Sequence, residues 1–182
     1  SVMITSIQWL PVIINCSLVL GLFRLLVIQK PILSNYWELI TRSSLLSYLI
    51  VVIYLTFRPV ASWHTSALLF HRVTINLIPF NTLTSDFFLN ILMTVPVGCY
   101  LYLIKRTSLL NMLLIGLGTG LLIETTQFIY DLLFNIGRSV DVNDIITNML
   151  GVLVGYSVIT ILNKTVITNI IKRFSLTQYS YI

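Results

Sequence analysis

The chain has only six carboxylate side chains, so the ones set inside apolar sequence are its chemically loaded residues. Glu124 follows Gly116 and Gly120 and precedes Gln127 at three- and four-residue intervals, which puts all four on one helical face. Asp141, Asp144, Asn148, Gly151 and Gly155 repeat those intervals on the next apolar stretch, and Arg138 lies in the mixed tract between the two. A carboxylate in an apolar segment is costly enough to require a partner or a function. Glycines at helical spacing let two backbones approach closely. Glu124 therefore has two readings. As a structural group it meets Arg138 or Arg72, directly or through one water, and locks helix ends together. As a chemical group it is a buried acid or base facing a ligand cavity. Asp141 is suited to cap the following helix, with Asp144 in its first turn near the positive end of the helix dipole. Both can also face a ligand, and Asn148, deeper in, is placed to bond across helices. His64 and His71 read as interface residues. No metal-ligand spacing occurs, so neither a metal nor a cofactor is expected.

The elements that must position these residues are membrane spans. Hydrophobic residues make up 57% of the 182 and charged ones 9%, with a mean hydropathy of +0.93. That composition excludes a soluble globule and fits an all-α polytopic membrane protein, read as one membrane domain over residues 1–182. The net charge of +5 does not imply nucleic acid, because the basic residues are scattered at the ends of apolar runs, where they orient a membrane protein. About five spans are expected, over residues 12–28, 43–57, 87–104, 109–130 and 142–162. The second is shorter than the roughly 20 residues a span needs, so a re-entrant or surface helix competes with it. Pro96 should kink the third and free a carbonyl. The very short link after it predicts that the third and fourth helices are antiparallel neighbours. Residues 58–86 read as an extracytoplasmic interfacial segment, with Trp63 at the interface and a partial apolar stripe of Leu68, Leu69, Val73 and Leu77. Val166, Ile167, Ile170, Ile171 and Phe174, beside Lys172 and Arg173, read as a short amphipathic C-terminal helix. The start of the chain lacks the basic stretch of a cleaved signal peptide. Cys16 and Cys99 fall at different depths and are expected to be free thiols.

In a five-span arrangement one side carries Lys30, Arg42, Lys105, Arg106, Lys164, Lys172 and Arg173, and the other only Arg58, Arg72 and Arg138. The positive-inside rule then sets the C-terminus in the cytoplasm and the N-terminus outside. Residues 58–86, Glu124 and the Arg138–Asp144 region converge at the outer leaflet.

Over roughly residues 72–156 the chain resembles the VanZ-like family. The resemblance is carried by Asn76-Leu-Ile-Pro79-Phe80, by Asn90 with Pro96-x-Gly98, by Glu124-x-x-Gln127-Phe128, and by Arg138, Asp141, Asp144, Asn148 and Gly151 in that order. It implies a small polytopic protein of the bacterial cytoplasmic membrane. Its namesake lowers susceptibility to teicoplanin without remodelling the peptidoglycan stem terminus. The reading that follows is reduced susceptibility to lipoglycopeptides through an outer-leaflet polar site for a lipid or antibiotic headgroup. Its ligand-binding candidates are Arg72, Asn76, Asn90, Glu124, Gln127, Arg138, Asp141, Asp144 and Asn148. Arg72 or Arg138 would face phosphate or carboxylate. The expected partners are membrane lipids and a lipoglycopeptide or lipid-linked cell-wall precursor. Three other readings stay open: an enzyme acting on a lipid-linked precursor with Glu124 as acid or base, a small transporter, and a structural partner subunit.

Overall fold

The computed structural model describes residues 5–28, 36–60, 68–70, 73–80 and 85–176. A 3-10 turn at Ser6–Trp9 leads into α1 (Leu10–Ile28). Then follow α2 (Tyr36–Phe57), α3 (Ser85–Ile104), α4 (Leu109–Phe134), α5 (Val142–Leu162) and the short α6 (Thr168–Phe174). Five of these helices are long and apolar enough to cross a membrane, and the protein is a multi-pass membrane protein. At 22 residues α2 is long and apolar enough to cross, although its apolar core alone is shorter. The helix begins several residues before the apolar run, in a turn where Glu38 and Arg42 form an ion pair.

The described part of the interfacial segment holds two short strands. Leu68 and Leu69 of the partial apolar stripe lie in β1 (Leu68–Phe70) and Val73 in β2 (Val73–Asn76), an antiparallel pair, with Leu77 just after β2. β2 also pairs in parallel with β3 (Val140–Asp141), Asn76 opposite Asp141. Valine, isoleucine and threonine in β2 favour an extended backbone over a helix. Trp63, His64, His71 and Arg72 lie outside the described residues.

The expected packing of the third helix on the fourth is not what forms. α5 sits between α3 and α4 and packs closely on both, while α3 and α4 barely meet. Glycines decide this. A Cβ on Gly98 would overlap the Val152 carbonyl oxygen, and one on Gly155 would overlap the Val95 carbonyl oxygen. The α3 and α5 backbones are therefore in contact, as small residues permit between membrane helices. On the other face, a Cβ at Gly120 would lie 2.8 Å from the Ile145 carbonyl oxygen. α3 runs through Pro96 as one continuous helix. The proline's missing N–H leaves the Leu92 carbonyl without its helical donor.

The two ends of the bundle differ. At one, α6 docks on α2 and α3: Thr41 Oγ1 donates to the Phe174 carbonyl at 2.8 Å, and Leu176 N–H to Leu103 at 2.8 Å. Ile171 is buried there, whereas Val166 is 97% exposed and outside the docked face. At the other end lie the small sheet and the α4–α5 loop. Both cysteines are free.

Candidate functional site

α4 ends on Asn135 in the left-handed conformation, and the loop that follows is tied down by Asp131. Its Oδ1 accepts from the N–H groups of Gly137 (2.7 Å) and Arg138 (3.2 Å). Fully buried Ile136 anchors the same loop, and its carbonyl accepts from Val60 N–H at 2.9 Å. β3 then turns directly into α5. Asp141 caps that helix as its sequence position suggests, with Oδ1 accepting from Asn143 N–H at 2.8 Å. Its other oxygen accepts from Asn76 Nδ2 at 2.9 Å. Asn143 in turn accepts from Phe80 N–H at 2.8 Å, so the segment after β2 is held against the start of α5.

One turn or more inside this frame is Glu124, 3% exposed. The expected direct contact with Arg138 is not formed. Glu124 Oε2 instead accepts from the Asp141 backbone N–H at 3.0 Å, because β3 presents that amide straight at the α4 face. Arg138 reaches the other way and donates from Nη2 to the Leu55 carbonyl at 2.6 Å, while its Nε is buried without a partner. Burial and the neighbouring Arg58 lower the Arg138 pKa, with Asp86, Asp144 and Glu124 acting the other way. It remains a cation.

These groups surround a cavity of about 490 Å³. α2, α3, α4, α5 and the α4–α5 loop all contribute to its wall. Its polar residues include Asn90, Glu124, Gln127, Arg138, Asp144 and Asn148, six of the sequence candidates. Gln127 is fixed by donating to the Thr56 carbonyl at 3.0 Å, which ties α4 to α2. Asn90 lies against the Asp144 carboxyl. Asn148 does bond across helices, but through its backbone carbonyl, which accepts from Thr94 Oγ1 at 2.9 Å. Its side chain is only 1% exposed, and neither amide atom has a partner. Leaving such a group unpaired costs about 1–3 kcal/mol, which a bound polar ligand would recover.

Asn76 and Asp141 are brought together behind the cavity and not on its wall. Arg72 falls outside the described residues. Sequence reasoning missed Arg58 and Asp86 as wall residues, treating them only as the ends of a loop. It also missed Asp131, although the face holding Glu124 and Gln127 reaches it at the next four-residue step. Asn143 gave no signal, because its role depends on a contact with Phe80 far away in sequence.

The sequence model of the VanZ/LLP1 family matches residues 45–163, more than half of the chain and every described element of the site. The protein belongs to the VanZ/LLP1 family. No curated protein and no solved structure matches it. In this VanZ-like chain the matched region begins within α2 and ends just after α5. It therefore takes in the α3–α5–α4 packing and all five parts of the cavity wall, and leaves α1 and α6 outside.

Proposed function

We propose that this VanZ-like protein reduces susceptibility to lipoglycopeptide antibiotics such as teicoplanin, by binding a lipid or antibiotic headgroup in the cavity around Glu124. The observation that carries the reading is the cavity's combination of buried, incompletely paired polar groups with a wall built from four helices long and apolar enough to cross a membrane. Asn148 and Arg138 both keep unpartnered polar atoms there, and Glu124 and Asp144 on the same wall are ionisable residues inside apolar helices, where such groups mark ligand or ion paths. The cavity lies at the end of the bundle that carries Arg58 and Arg138. Arg42, Lys105, Arg106, Lys164, Lys172 and Arg173 gather at the other end, where α6 docks. The positive-inside rule assigns that richer end to the cytoplasm and the cavity to the outer half of a bacterial cytoplasmic membrane. Lipid-linked cell-wall precursors, the target of lipoglycopeptides, are exposed on that side.

Glu124→Gln is the deciding substitution. The amide oxygen can still accept from Asp141 N–H, so folding is retained while the charge is lost. The expected outcome is near-normal membrane expression with teicoplanin susceptibility returned to that of cells without the gene. Full resistance in this variant, at equal expression, would overturn the assignment. The enzyme reading, with Glu124 as acid or base on a lipid-linked precursor, is favoured by the burial of Glu124 on the cavity wall. It requires turnover of such a precursor by purified protein and loss of that turnover in the same variant.

A further inference from the structure

We infer that the cavity takes the headgroup of an aminophospholipid, a phosphodiester bearing a primary ammonium, which enters sideways between α2 and α3. This rests on the headgroup-site reading above and names the chemistry of its ligand.

The side entry comes from the rim. Leu55 on α2 and Leu89 and Leu92 on α3 all line the cavity, yet they are 44%, 57% and 68% exposed. Between membrane helices, outward-facing leucines meet acyl chains. A polar cavity whose wall includes such residues is open to the bilayer. α2 meets α3 at few points, among them Tyr48 Oη donating to the Met93 carbonyl at 2.5 Å and Thr56 Oγ1 reaching Met93 Sδ at 3.7 Å. The remaining gap suits an amphiphile whose chains stay outside while its headgroup enters, and a water-borne ligand has no need of it.

The headgroup chemistry comes from the lining. Arg58 and Arg138 line the cavity, Arg138 is bonded to the carbonyl of the rim residue Leu55, and its buried Nε has a donor to spare. Guanidinium groups with free donors suit a phosphodiester. The interior offers acceptors: the carboxyls of Glu124 and Asp144, and Asn148 Oδ1, buried and unpartnered. An ammonium carries three N–H donors and no acceptor, which matches that set. It also relieves the repulsion between two neighbouring carboxylates. A headgroup ending in hydroxyls supplies no positive charge and leaves that repulsion in place. The cavity presents Asp86, Glu124 and Asp144 against two guanidiniums, so a phosphate alone would add to an existing excess of acid, and a zwitterion does not.

The test uses the full chain in nanodiscs of equimolar phosphatidylethanolamine and phosphatidylglycerol, with retained lipid measured by native mass spectrometry. Phosphatidylethanolamine should be retained about tenfold over phosphatidylglycerol, equivalent to ~1.4 kcal/mol. Asp144→Asn should remove the preference. Leu92→Trp, at a position facing out of the bundle, should lower retention of both lipids while leaving the thermal transition in place. Millimolar free phosphoethanolamine should not compete. Equal retention, a preference for phosphatidylglycerol, an unchanged preference in Asp144→Asn, or effective competition by the free headgroup would each overturn the inference. The two readings separate cleanly. Selective retention with full resistance in Glu124→Gln keeps the ligand and removes the resistance function. No selectivity with resistance lost in Glu124→Gln does the reverse.

Discussion

Asp131 shows how much one buried carboxylate can organise. It is 6% exposed, and a single oxygen holds the N–H groups of both Gly137 and Arg138. Those bonds aim Arg138 into the cavity, so the residue acts on the site without lining it. Asp131→Ala should strand two loop donors and cost about 2–3 kcal/mol, read as a lowered thermal transition of the purified protein. Asp131→Asn keeps one acceptor oxygen and should lose less. Asn90, Glu124, Gln127, Arg138, Asp144 and Asn148 on the cavity wall stood out beforehand as polar side chains in or beside apolar sequence, whereas Arg58 and Asp86 at the ends of a loop did not. The partners were not. Glu124 and Arg138 are opposite charges at a plausible separation, yet the carboxylate takes a backbone N–H. Backbone direction at β3, which sequence intervals do not encode, made that choice.

Among the elements, the helices could be read from apolar length, and the strands could not. β1 to β3 are two to four residues each, and their pairing joins segments far apart in the chain. Helix order in space also escaped the sequence. A short link between α3 and α4 suggests that they pack together, but Gly98 on α3 and Gly151 and Gly155 on α5 bring those two backbones into contact instead. Gly155→Leu should therefore be among the most damaging changes in the protein. Overpacking a tight interface typically costs about 1–3 kcal/mol and more where backbone must shift. At Gly155 the obstacle is the Val95 carbonyl itself. The expected result is loss of folded protein in size-exclusion chromatography. Gly118→Leu, where an added Cβ meets nothing within 4 Å, serves as the tolerated control.

For the molecule as a whole, the segregation of basic residues between the two ends makes orientation testable. In a background with Cys16 and Cys99 changed to serine, an impermeant thiol reagent applied outside intact cells should label Ser66→Cys and miss Thr107→Cys. The opposite pattern would invert the topology and place the cavity on the cytoplasmic side. The interposition of α5 between α3 and α4 also sets a schedule. A chain emerging from the ribosome makes α3 and then α4, but the surface that joins them arrives only with α5. Until then the glycine face of α3, the acidic face of α4 and the unpaired edge of β2 all wait without their partners. The newly inserted protein thus passes through a stage in which most of its eventual contacts are missing, when it is exposed to quality-control proteolysis. A chain truncated after Arg138 should be degraded far faster than the full chain in a pulse-chase experiment. Supplying residues 139–182 as a separate membrane-inserted fragment should slow that loss.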